Sequence, residues 1–211
     1  MDACETLQSR IVDSHDALDL GNVFNFAVTM AIRSPNRKVV KLALGMIAAF
    51  KPGEEVRAFV RTLGLSDEFT LFAAMAMQSW ADPNAEWFDL AKRVTGWGRV
   101  HLVRMLRPET PEIRRWLLRE GVHNDIMPQY SALDCWIKAD VPAALAGPLS
   151  REDFSGIRDI IEALLDEGPV PGISGIEDAE AHLRTFLKRA ESMALDDRDR
   201  EVLSAVRDYL N

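Results

Sequence analysis

Helix punctuation constrains this chain more than any other feature of its sequence. Ser34-Pro35, Asp82-Pro83 and Thr110-Pro111 each place a side-chain oxygen just ahead of a proline. That pairing suits a helix start. The oxygen accepts from orphan amides of the first turn, and proline at the first helical position forfeits no hydrogen bond. Ser66 opens a further segment, with Asp67 and Glu68 where the helix dipole favours negative charge. Gly21, Gly53, Gly64, Gly121 and Gly168 stand where segments should stop. Between these marks the apolar residues keep helical spacing. Ile113, Trp116 and Leu117 stand at i, i+3, i+4, and Phe154, Ile157, Ile160, Ile161 and Leu164 continue that period elsewhere.

Alternating β-branched runs are absent, so the expected class is all-α, with about twelve short helices. The starts near Ser34 and Ser66 lie 32 residues apart, and those at Asp82 and Thr110 lie 28 apart. One helix pair about every 30 residues predicts stacked antiparallel pairs in a HEAT-like α-solenoid. Segments 39–50 and 69–81 are apolar nearly all round and belong in the middle of such a stack. A chain of 211 residues with 47% hydrophobic side chains suits one domain spanning 1–211. The Pro/Gly-rich loop 168–175 sets off residues 176–211 as a terminal capping pair.

Charge narrows the partners. The net charge is −8, unevenly spread: 12 acidic against 10 basic side chains in 1–95, 3 against 6 in 96–121, and 18 against 9 in 122–211. Such a chain repels nucleic-acid phosphates, which argues against a role for Arg99, Arg104, Arg107, Arg114, Arg115 and Arg119 in duplex binding. A basic protein partner is the better match. The uncharged apolar run 69–81 is shorter than the ~20 residues that span a bilayer. The opening MDACETLQSR lacks the basic and apolar regions of a secretion signal. Two cysteines, Cys4 and Cys135, stand in no metal-like spacing, which fits a reducing cytoplasm.

Three constellations are candidate sites. In 96–121, Gly96 and Gly98 free the backbone around Trp97, which is expected to fold over a helix joint. Leu102, Met105 and Leu106 then share one face, opposite His101, Arg104 and Arg107. Trp97, Arg104 and Arg115 are candidate contacts for an acidic partner or phosphate. The second is an acidic stripe: Glu152, Asp159, Glu162 and Asp166 on one side of a helix at 151–167, with Glu177, Asp178 and Glu180 beyond the loop. With Lys and Arg counterparts largely missing, these acids repel one another, and a basic partner would relieve that. The third is His123-Asn124-Asp125 with His182 further on, whose His123, Asp125 and His182 match the ligand types of a non-haem iron triad. The other histidines, His15 and His101, fall in no H-E-x-x-H pattern, and Cys135 sits on an apolar helix as a small hydrophobe. G-x-S-x-G, P-loop and G-x-G-x-x-G motifs are absent.

Over 96–139 the chain resembles a bacterial helical family with the pattern GWG..H.V..L.P.T..I..WLL..G..N....Y.AL. Here it reads Gly96-Trp97-Gly98, His101, Val103, Leu106, Pro108, Thr110, Ile113, Trp116-Leu117-Leu118, Gly121, Asn124, Tyr130 and Ala132-Leu133. The run LLDEGPVPGIS at 164–174 is similar to the same family. Members carry the labels limonene hydroxylase or HEAT-repeat protein. The resemblance implies a helical-repeat fold and, through the first label, an oxygenase; it carries over no catalytic residue. The residues themselves favour a non-catalytic, cytoplasmic protein-binding module without cofactor, of the toxin-neutralising kind, that meets a basic protein through its acidic surface.

Overall fold

The computed structural model describes the backbone of residues 2–14 and 16–211, with side chains from Thr6 onward. The fold is all-α: thirteen α-helices, one 3-10 turn and no strand among the described residues. The side chain of Cys4 and the whole of His15 lie outside those residues. The chain divides into two compact units, Met1–Leu102 and Val103–Asn211.

The first unit holds α1 (Asp2–Asp13), α2 (Leu20–Arg33), α3 (Arg37–Ile47), α4 (Glu54–Gly64), α5 (Asp67–Met77), α6 (Pro83–Ala91) and the start of α7 (Gly96–Met105). As expected for the two apolar segments, α3 and α5 are its interior. Ala43, Leu44 and Ile47 of α3 and Ala73, Ala74 and Ala76 of α5 are fully buried, and the two helices pack on each other. Burying one Leu or Ile side chain contributes about 1.5–3 kcal/mol. Asp82 caps α6 as its spacing predicts, accepting from the Ala85 amide ahead of Pro83. Ser34 does not start a helix. It ends α2, and Asn36 takes the cap of α3 by accepting from Lys38 N, because its side chain reaches the first-turn amide. Gly21 likewise lies inside α2, and Gly53 begins α4.

The glycines around Trp97 serve a close approach. Gly96 has φ +67°, and a Cβ on Gly98 would lie 2.6 Å from the Thr70 hydroxyl. A Cβ on Gly96 would lie 2.8 Å from Asp67 Oδ1, so its absence leaves room for Asp67 of α5 to accept the Gly98 amide at 2.5 Å, and one helix caps the start of another. Trp97 is 42% exposed, with its ring 6.4 Å from that of His101, and does not fold into a closed joint.

The second unit holds the end of α7, α8 (Pro111–Arg119), α9 (Gln129–Lys138), α10 (Val141–Ala146), α11 (Arg151–Leu165), a 3-10 turn (Ile173–Gly175), α12 (Ala179–Ala190) and α13 (Asp197–Tyr209). Its hub is α11, which packs against α8, α9 and α13. The predicted stripe Phe154, Ile157, Ile160, Ile161 and Leu164 is fully buried, and Phe154 stacks on Phe186 of α12 at 4.9 Å. Gly156 permits the crossing with α8, since a Cβ there would sit 2.2 Å from the Leu118 carbonyl. Distant cations finish two helix ends. Lys138 donates to the Val103 and Arg104 carbonyls of α7, and Arg189 to those of Leu145, Ala146 and Gly147 at the end of α10. Cys135 is fully buried, and burial pushes its thiol well above its ordinary value. It is an inert hydrophobe here.

Candidate functional site

The site begins with a charge at a core position. Arg158 follows Ile157 on α11, is 7% exposed, and cannot be buried without counter-charges. Asp159 supplies one at 2.8 Å, and Asp199 of α13 the other at 2.9 Å. Asp199 is itself locked in place. It accepts its partner amide in a capping box with Asp196, and Arg151 reaches it at 2.6 Å. Burial works to raise the Asp199 carboxyl, but the Asp196 amide and the Arg158 and Arg151 guanidiniums hold it below the ordinary range. These ions join α11 to α13.

On the open side of Asp159 stands His123, in the turn between α8 and α9. His123 Nε2 lies 3.0 Å from Asp159 Oδ2, and Nδ1 lies 3.4 Å from Glu120 Oε2. The hydrogen bond to Asp159 raises the imidazole above its ordinary 6.5 against the opposing effect of burial, with Glu120 adding to it. For Asp159, burial is the largest influence and works upward. His123 and Arg158 outweigh it, and the carboxyl stays below the ordinary range.

The turn that presents His123 is built by its neighbour. Asn124 is fully buried, accepts from the Ile126 and Met127 amides, and donates to the Met127 carbonyl and the Ser131 hydroxyl. Asp125 between them takes φ 61°, a left-handed conformation that Asp tolerates. His-Asn-Asp is therefore a turn organised by its middle residue. The iron triad does not form: His123 faces Asp159, Asp125 is exposed, and His182 packs edge-on to Trp136 at 5.8 Å. Among the described residues no group of three His, Cys, Asp or Glu side chains could hold a metal ion.

A groove runs along this surface. Its first part, about 280 Å³, is walled by His123, Gln129, Asp159, Glu162, Asp166 and Arg198, and its second, about 460 Å³, by Glu162, Asp166 and Glu201 with Leu165, Val202 and Ala205. Four carboxylates thus face one arginine and one histidine. Gln129 donates to Asp166 at 2.5 Å, while its Oε1 is buried without a hydrogen-bond partner.

The acidic stripe is less bare than its sequence implies. Asp159 is buried and meets Arg158, Arg198 and His123; Glu162 pairs with Arg198 at 2.7 Å; Glu152 lies 3.5 Å from Arg119. Glu180 pairs with Arg184. Arg158 and Arg184 are neighbours on the same helices, whereas Arg119, His123 and Arg198 come from α8, the following turn and α13, far along the chain, where local counting misses them. Glu177 and Asp178 are exposed beyond the loop, the latter at φ 54°. The structure does not gather the remaining candidates at the groove. Trp97 lies in the first unit, Arg104 stands 3.8 Å from Asp134, and Arg115 is exposed on α8.

Sequence reasoning overlooked Arg158, Arg198, Asp199 and Gln129. Two signals were present: a charge at a core period of α11, and the D-x-x-D of Asp196 and Asp199 ahead of Val202 and Leu203. Comparison of the chain with protein-family models, with curated proteins and with solved structures returned no match.

Proposed function

We propose that this chain is a non-catalytic protein-binding module that takes a basic segment of its partner into the groove between α11 and α13. The observation that carries this reading is the groove's composition. Glu162 and Asp166 line two adjoining cavities, the second also walled by Glu201; carboxylates outnumber cations there, and Glu201 has no counter-ion among the described residues. The surrounding unit supports it, with 21 acidic against 14 basic side chains in residues 103–211. Such a field steers a basic partner toward the groove and sets its orientation. No helix among the described residues is long and apolar enough to cross a membrane.

In its fuller form the proposal has the helix pairs stacking as a HEAT-like α-solenoid in the cytoplasm, and the partner is a basic toxin whose cleft is covered. The 96–139 resemblance to a helical-repeat family agrees with that form. The test uses fluorescence anisotropy with a labelled arginine-rich peptide and a glutamate-rich control. The arginine peptide should bind at about 50 mM salt and weaken steeply toward about 500 mM. Combining Glu162→Gln, Asp166→Asn and Glu201→Gln should reduce its affinity about tenfold or more, taking each rim contact at roughly 0.5–1 kcal/mol. Equal binding by the triple variant would refute the groove as the site.

A further inference from the structure

His123 stands between two carboxylates on different elements, Glu120 at the end of α8 and Asp159 on α11. A carboxylate only accepts, and a neutral imidazole has one N–H. Both contacts are therefore complete only in the doubly protonated ring; in the neutral ring one nitrogen lone pair faces an anion. Around the imidazole, α11 adds Glu162 and Asp166 along the groove, and α9 contributes the uncharged Gln129. From α13 comes Arg198, held on Asp159 at 3.1 Å and Glu162 at 2.7 Å, while Asp199 and Asp196 lie behind it on Arg158 and Arg151. Arg158 and Arg198 bind Asp159 whatever the state of His123, so α11 and α13 stay joined. Only the turn depends on the histidine.

We propose that His123 is a proton-operated latch on the groove. Its imidazolium donates to Glu120 and Asp159 at once and holds the turn between α8 and α9 against α11 as an ion pair; loss of one proton to solvent leaves a single N–H between the two carboxylates, which loosens that turn and widens the His123 end of the groove. His123 is raised above its ordinary 6.5 by these partners. The latch is therefore fully engaged below about pH 6.5 and is lost as pH rises through the folded-state value. The device is independent of whether a basic partner occupies the groove.

Hydrogen exchange of the full chain, read by mass spectrometry and corrected for intrinsic rates, tests it at about pH 6 and about pH 8.5. The amides of 121–127 should exchange roughly two- to tenfold faster at the higher pH, the range expected for losing two partly exposed ion pairs. Peptides from α4 should show no such change. His123→Gln should show one rate at both pH values. Unchanged exchange in the natural chain, or the same acceleration in His123→Gln, would overturn the latch. A second readout covers a variant that does not fold: the His123 ring titration, followed by NMR, should move to lower pH in Glu120→Gln, and an unmoved midpoint also contradicts the proposal.

Discussion

The two units solve the same packing problem with different materials. In Met1–Leu102 acids and bases nearly balance, 12 against 11, and the buried polar residues among those described are the neutral Thr70 and Asn84. In Val103–Asn211 acids exceed bases 21 to 14, and Arg158, Asp159 and Asp199 are all buried. The first unit is an apolar interior of small side chains in α3 and α5. The second has an apolar hub, α11, with an ion network along one edge. Apolar packing tolerates changes of pH and salt, whereas a buried network is stable only while each member keeps its partner. The second unit is thus the responsive one, and its charge lies beside its groove.

The comparison breaks most visibly at Arg158. Arg158→Met strands Asp159 and Asp199 from a shared cation and should destabilise the second unit by about 3–5 kcal/mol. Denaturant melts read through exchange of α11 peptides measure it, and adding Asp199→Leu should restore part of the loss. No single charge change in the first unit should approach that size.

Glycine replacements come next. Alanine at Gly156 meets the Leu118 carbonyl at 2.2 Å, a backbone atom that cannot yield, and at Gly98 meets the Thr70 side chain at 2.6 Å. Overpacking of about 1–3 kcal/mol exceeds the ~1 kcal/mol gained in helix propensity, so both changes should lower the melting temperature, Gly156→Ala the more. Adding Thr70→Ala should relieve Gly98→Ala in part, while no side-chain change on α8 relieves Gly156→Ala.

A pH profile sharpens the contrast. Asp159 and Asp199 lie below the ordinary carboxylate range, so their stabilisation is present above about pH 4 and is lost as pH falls further. His123 acts in the opposite sense, its contribution fading above about pH 6.5. Protection of α11 should therefore peak between those limits. In the first unit the only carboxyl held low among the described residues is Glu68, through its hydrogen bond with Lys41 at the surface, so protection of α5 should change less. Smallest are the caps: Asp82→Ala in one unit and Thr110→Ala in the other should each cost about 0.5–2 kcal/mol in thermal melts.

What the sequence made legible follows from the range of each force. Local rules worked where local forces decide. Asp82 and Thr110 cap helices, the Phe154–Leu164 period faces inward, and α11 runs Arg151–Leu165. Ser34 failed because Asn36, two residues on, makes the cap instead. Gly96 takes a positive φ as the freed backbone around Trp97 implies, while the close approach of Asp67 and Thr70 on α5, some thirty residues earlier, lies beyond local rules. The site was half visible. Glu162 and Asp166 were marked by their stripe, but the network depends on pairings 36 to 48 residues apart, such as His123 with Asp159 and Arg151 with Asp199. In His-Asn-Asp the titratable ends drew attention while the buried Asn124 shaped the turn.

The central claim, that the groove between α11 and α13 receives a basic segment, is met most directly by NMR shift mapping of the full chain with an unlabelled arginine-rich peptide. Saturable perturbations should cluster on Glu162, Asp166, Glu201 and Gln129 and leave α3 and α5 unmoved. Perturbations that avoid the groove, or none at low salt, would contradict the account.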